Sequence, residues 1–320
     1  MPTVQELFVA GLATSTQRVY RSGSSRYQKF CCQHDLQPYP ATESVLALFT
    51  ASLFRQGLTA GTIKTYLSSV RYTQISLGLG DPHAKAMPQL EYVVKGLKRK
   101  TAGQTARTRL PITVQILRDL KAVWPVAPDQ FNASMLWAAS CMCFFGFLCT
   151  GEIVVPSDTE YDKNVHLSVE DVLVDNVMSP KWLEIRIKAS KTDPFRKGVS
   201  VYIGTSGNNI CPVAAILDYR VRRGPCSGPF FRFSDRRLLT RARFVTQLKE
   251  ALTTMGVDER NYSGHSFRIG AATTAAACGI QDSLIKTLGR WESAAYTLYI
   301  QTPRETLCKV SQTLTTQVPD

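Results

Sequence analysis

The sequence predicts a mostly α-helical protein with one small antiparallel β-sheet, organised as a helical domain followed by a mixed α+β domain. Three observations predict it. In the first hundred residues the apolar positions recur at helical spacing throughout. Alternation with a period of two begins only beyond Pro156. Between the two regions, Thr101 to Pro111 combines Gly103, two arginines, small polar residues and a closing proline, which reads as a linker. A chain of 320 residues also exceeds one ordinary core. We therefore expect a helical domain at 1–101, a linker at 102–111 and a mixed domain at 112–320.

Thr14-Ser15-Thr16 offers N-caps for a helix running to about Gln33, and Thr42 with Glu43 opens another through Leu53. From Thr59 to Leu77, Ile63, Tyr66, Leu67 and Val70 share one face, while Lys64, Ser68 and Arg71 form an adjacent polar stripe. Such stripes are usually just solvated surface. This one lacks acidic members, which turns the reading toward phosphate contact. A fourth helix, about Met87 to Lys100, ends in the run Lys95-Gly-Leu-Lys-Arg-Lys, adding Lys98, Arg99 and Lys100 as nucleic-acid contacts.

In the second domain, helical patterns cover Val114–Val123 and Phe131–Leu148. His166–Val174, Trp182–Lys188 and Val199–Ile203 are expected as short strands, the last two joined by the polar loop Ser190 to Gly198. Helices resume at Val213–Arg222, Arg241–Thr254, Ser266–Cys278 and Ser283–Leu288, with a last one past Pro303. The basic segment Pro225–Arg237 interleaves Phe230, Phe231 and Phe233, a pattern that more often means packing than base stacking.

Charge points to an anionic partner. The net charge is +13, and residues 1–110 carry 14 lysines and arginines against 5 acidic residues, whereas the remainder carries 24 against 20. That asymmetry suits a DNA-gripping module attached to a catalytic one, with a basic cleft between them. Nine cysteines in irregular positions support neither a zinc finger nor a disulfide scaffold, so we expect reduced thiols in an intracellular setting. Four histidines make a multi-histidine metal site unexpected. The longest apolar stretch, Met135 to Leu148, falls short of the roughly 20 residues that cross a bilayer, so no membrane association is expected.

His265-Ser-Phe-Arg268 opens a helix after Gly264, and its i, i+3 spacing puts imidazole and guanidinium on one face, where one could grip a phosphate and the other accept a proton. Alone, this pair is more often structural. Its company changes that: Leu288-Gly-Arg-Trp291 follows, then Tyr299-Ile300, while Lys191 lies upstream in the polar turn.

Four segments together resemble the tyrosine recombinases, most closely those of DIRS-type and crypton-like mobile elements. They are Phe147-Leu-Cys-Thr-Gly-Glu-Ile-Val-Val-Pro156, Ser190-Lys-Thr-Asp-Pro-Phe-Arg-Lys-Gly198, Ser263-Gly-His-Ser-Phe-Arg-Ile-Gly-Ala-Ala-Thr273 and Leu288-Gly-Arg-Trp-Glu-Ser-Ala-Ala-Tyr-Thr-Leu-Tyr-Ile300, in the family's order. The basic helical first domain resembles the family's core-binding domain. The resemblance implies a site-specific recombinase or integrase acting on double-stranded DNA in the nucleus. It implies no metal, cofactor or small-molecule substrate, and a homo-tetramer on DNA to which the tail past Pro303 could contribute. It further implies Tyr299 as the nucleophile that forms a 3′-phosphotyrosine, Arg268 and His265 on the non-bridging oxygens, and Lys191 as the acid for the leaving 5′ oxygen. Trp291 takes the later position that members fill with histidine or tryptophan. Tyr296 competes for the nucleophile's role, but the Tyr-Ile pair and the spacing from Trp291 favour Tyr299.

One position departs. The family's first motif reads arginine, two residues, then an acid; the acid is Glu152, but Cys149 stands at the arginine. No arginine lies between Arg118 and Arg186, so no shift of register restores it, and Glu152 is expected to lose its partner. A thiol offers phosphate neither charge nor bidentate donors. Impaired catalysis is the expectation. A DNA-binding protein that no longer cuts stays open beside it, and so does a type IB topoisomerase.

Overall fold

Capping side chains set where several helices begin. Thr42, Thr59, Thr113 and Thr240 each accept a hydrogen bond from the backbone N–H three residues on, and Asp129 accepts from Phe131 and Asn132. The computed structural model describes residues 3–301 apart from 102–107, 125–128, 192 and 194. The chain divides into two compact units, 1–106 and 107–320. The expected residues 102–107 of the linker and the helix past Pro303 lie outside the described residues.

The first unit holds α1 (Val4–Ala10), α2 (Thr14–Gln33), α3 (Glu43–Arg55), α4 (Ala60–Ser76) and α5 (Pro88–Thr101). Helix α1 was not expected; it is short, and Val4 and Leu7 remain exposed, so it carries little of the periodic signal that burial imposes. Helix α2 packs on α4 and α3 on α5. Their apolar stripes close a core of Tyr27, Phe30, Leu46, Phe49, Ile63, Val70 and Leu97.

The second unit packs α6 (Val114–Val123), α7 (Gln130–Phe145), α9 (Pro212–Arg223), α10 (Arg241–Thr254) and α11 (His265–Ala277) with a three-stranded antiparallel sheet. The sheet order is β1 (Val172–Val174), β2 (Trp182–Ile187), β3 (Val199–Gly204), in register Val172 with Ile185 and Ile185 with Val201. Leu183, Ile185 and Ile187 alternate inward, as a half-buried strand requires. The architecture is thus mostly helical with a small antiparallel sheet, as expected.

Two further elements differ from expectation. Helix α7 ends at Phe145, because Gly146 and a left-handed Phe147 (φ 51°) turn the chain and send the Leu148 N–H back to the Cys143 carbonyl. The apolar run continues to Leu148 since the turn is itself buried. The strand expected from His166 shrinks to Val172–Val174, because Ser168 and Asp171 close a 3₁₀ turn over Val169–Asp171. The phenylalanine-rich segment packs: Phe230 and Phe231 are buried against the Tyr219 ring. Among the described residues no helix is long and apolar enough to cross a membrane.

Candidate active site

Helix α11 forms the floor of the site. Its N-terminus can approach the first motif only because position 264 is glycine: a Cβ there would lie 2.0 Å from Thr150 Oγ1. This brings Arg268 beside the short helix α8 (Thr150–Ile153), whose N-cap is Cys149. Arg268 Nη1 donates to the Cys149 sulfur at 3.1 Å, and Nη2 donates to the Gly289 carbonyl. The side chain is 9% exposed, and Nε has no partner among the described residues. A buried guanidinium N–H without an acceptor is costly unless a ligand supplies one.

From the other side, α12 (Asp282–Leu288) ends at Gly289 and turns the chain back through Arg290 to Trp291. Glycine at 289 lets the Trp291 ring lie against the turn, since a Cβ would sit 1.7 Å from that ring. That ring lies 4.6 Å from the Arg268 guanidinium, a cation–π contact that orients the arginine. A 3₁₀ turn, Ala294–Tyr299, then delivers Tyr299. Its ring lies 4.9 Å from Trp291, 5.1 Å from His265 and 5.8 Å from the Arg268 guanidinium.

His265 is held neutral. Burial lowers its pKa to about 4, and the positive charges of Arg109, Arg268, Arg241 and Lys191 act in the same direction. One half-buried imidazole thus reports four cations around it. Lys191 itself is exposed, in the turn between β2 and β3. The arrangement, a phenol beside an orphaned guanidinium donor and a proton-accepting imidazole in a positive field, suits attack on a phosphodiester.

No family model matches the chain. Over 271 residues it is 23% identical to an integrase/recombinase XerD homolog of Selenomonas ruminantium, covering 82% of this chain and 74% of that one. The Tn1549 transposon integrase in complex with transposon right-end DNA is similar in structure with a TM-score of 0.59 at 12% identity, over 98% of this chain and 100% of the other. A lambda integrase dimer bound to a COC′ core site gives 0.57 at 13%, over 91% and 72%. XerH bound to difH in a post-cleavage complex gives 0.55 at 15%, over 85% and 70%. In sequence the chain is thus similar to an integrase/recombinase, and it shares the fold of these solved recombinase and integrase structures.

Tyr299, Arg268, His265 and Trp291 come together in one cluster, with Lys191 close enough to bear on His265. Tyr296 points elsewhere: its hydroxyl donates to Asp282 at 2.9 Å. Cys149 sits against Arg268, and the expectation for Glu152 is corrected. Glu152 has a partner, because Arg290 reaches it from 138 residues away with Nη2 at 3.1 and 2.9 Å from the two carboxylate oxygens. Sequence reasoning missed Arg290, Arg109 and Arg241. Arg290 occupies a left-handed turn position (φ 55°) that costs a side-chain-bearing residue roughly 1–2 kcal/mol, which the one-dimensional pattern does not show. Arg109 lies in the expected linker, yet Leu110 donates to Asn261, Ile112 donates to Ser266, and the Arg109 carbonyl accepts from Gln301. Residues 109–112 are therefore pinned to the second unit beside α11.

In the first unit, Lys64, Arg71, Lys85, Lys95 and Lys98 line a groove of about 590 Å³, and Glu91 is the one acidic residue among its described lining residues. The Lys98 ammonium beside Lys64 pushes the Lys64 pKa down, the mark of two like charges held together. Arg71 is less free than the stripe suggested, since Asp81 pairs with it at 2.5 Å. Arg99 and Lys100 are exposed at the end of α5.

Proposed function

We propose that the chain is a site-specific DNA recombinase or integrase of the tyrosine class, impaired at cleavage by Cys149. We further propose that it belongs to a DIRS-type or crypton-like mobile element, and works on double-stranded DNA in the nucleus as a tetramer assembled on its substrate. The four ordered motifs support the element class, and an element of that kind integrates into nuclear DNA. The observation that carries the chemistry is the packing of the Tyr299 ring between His265 and Trp291, next to the unpartnered Nε of Arg268.

The Tyr299 oxygen attacks phosphorus and forms the phosphotyrosine bond, while the bond to the 5′ oxygen breaks and Lys191 protonates it. Neutral His265 is able to take the phenol's proton or to hydrogen-bond a non-bridging oxygen. Arg268 offsets the added negative charge of the transition state. Attack by another strand's 5′ hydroxyl reverses the step and conserves the bond energy. The groove around Lys64 and Lys98, with Arg99 and Lys100, supplies backbone contacts.

The test is incubation with nicked suicide duplexes followed by a denaturing gel, on the chain and on its Cys149→Arg variant. A slow-migrating protein–DNA adduct that Tyr299→Phe abolishes and Tyr296→Phe leaves is expected. Binding without an adduct in either chain would favour the second reading, a DNA-binding protein that no longer cuts. The specific observation on that side is the thiol against Arg268, where a second guanidinium is expected. Relaxed plasmid without recombinant product would indicate a topoisomerase.

A further inference from the structure

We propose that Arg290 is a positioning residue of the phosphate site, standing in for the arginine missing at position 149 as the partner of Glu152 and so keeping Arg268 available for phosphate. This rests on the recombinase reading above. The Glu152 carboxylate is 9% exposed and has two guanidinium neighbours at unequal distances. Arg290 Nη2 lies 2.9 Å from Oε2, whereas Arg268 Nη1 lies 4.0 Å from the same oxygen. A buried carboxylate left with Arg268 alone would draw that guanidinium in and neutralise it, since attraction rises steeply at short range in a partly desolvated site. With Arg290 in place, Glu152 is already paired. It also accepts from the Cys149 N–H at 2.6 Å, which fixes the start of α8. One carboxylate and two guanidinia leave the cluster with a net positive charge, and the donor without an acceptor is on Arg268.

The turn does not call for arginine. Position 290 ends α12 in a left-handed conformation, where glycine or asparagine is the usual residue. The side chain nevertheless runs inward, 15% exposed, with Nη1 toward the Gly146 carbonyl at 3.4 Å. Arg290 thus ties the end of α12 to the turn that precedes Cys149. It touches no reacting atom; it acts through Glu152.

The test combines thermal melting of the full chain with adduct formation on a pool of nicked duplexes of randomised sequence. Arg290→Met is expected to lower the melting temperature clearly in the native chain and less in the Cys149→Arg background, where the new guanidinium can hold Glu152. Adding Glu152→Gln to Arg290→Met should recover most of the loss, because no unpaired carboxylate remains. In the adduct assay Arg290→Met should cost roughly tenfold or more, and Glu152→Gln should restore most of it. An equal melting loss in both Cys149 backgrounds, or no recovery with Glu152→Gln, would overturn the proposal. If the melting pattern holds while no variant forms an adduct, the recombinase reading fails and the pairing of Arg290 with Glu152 stands.

Discussion

Arg268 and Cys149 touch: Nη1 lies 3.1 Å from the sulfur, so the thiol occupies the place beside the buried guanidinium. The contact is polar but adds no charge to the site. The positive charges that bear on neutral His265 are those of Arg109, Arg268, Arg241 and Lys191. Tyr299, His265 and Trp291 pack around Arg268 with cysteine at position 149, so on the proposed reading the site lacks charge rather than architecture.

Replacing Cys149 with arginine should therefore raise strand cleavage by roughly 10²–10³, the cost of one missing donor to a developing oxyanion. DNA affinity should change little, because it sums many phosphate contacts elsewhere. Single-turnover cleavage and filter binding on the same duplex check the two halves. A variant that binds more tightly but cuts no faster would show that position 149 serves grip and not the transition state.

Gly289→Ala should destabilise the protein by about 1–3 kcal/mol and lower cleavage as well. The added Cβ would meet the Trp291 ring at 1.7 Å, and moving that ring removes the face on which Arg268 rests. Urea denaturation beside a cleavage assay measures both. Unchanged stability would mean that the indole does not pack where the structure places it.

Much of this was legible in the chain, and what was not has physical causes. Helix α4 was readable from Ile63, Leu67 and Val70 because burial on one face imposes a period. Helix α7 was readable as a core helix but not in its end, since Phe147 continues the apolar run while turning left-handed. His265, Arg268, Trp291 and Tyr299 lie in short segments whose spacing survives in one dimension. The partner of Glu152 does not: it arrives from a turn 138 residues away, and no local pattern announces a contact of that range. Asp81 hid in the same way, reaching Arg71 from a loop beyond its helix.

Lys64→Ala and Lys98→Ala should each weaken DNA binding across sequences and reduce the salt slope of log K by about 1. Arg71→Ala should do less, because Asp81 already neutralises that guanidinium. Asp81→Asn should strengthen binding by releasing it. Affinities measured from low to moderate salt decide the matter; a weaker complex with Asp81→Asn would remove Arg71 from the interface.

His265 should make the free protein less stable as pH falls from about 6.5 toward 4. Its folded pKa is about 4, below the ordinary value of 6.5. In that window the unfolded chain takes up a proton that the folded chain refuses, so acid favours unfolding; above it His265 adds no slope. His166, also lowered by burial, contributes in the same sense, so the decisive quantity is the difference between the parent and His265→Gln. That difference should shrink when duplex DNA is bound. A phosphate next to the imidazole offsets the field of Arg109, Arg268, Arg241 and Lys191 and favours the charged ring. DNA binding at about pH 5.5 should accordingly take up a proton, which calorimetry in buffers of different ionisation enthalpy detects. Binding without proton uptake at that pH, in a chain whose His265→Gln variant behaves identically, would show that no phosphate reaches His265.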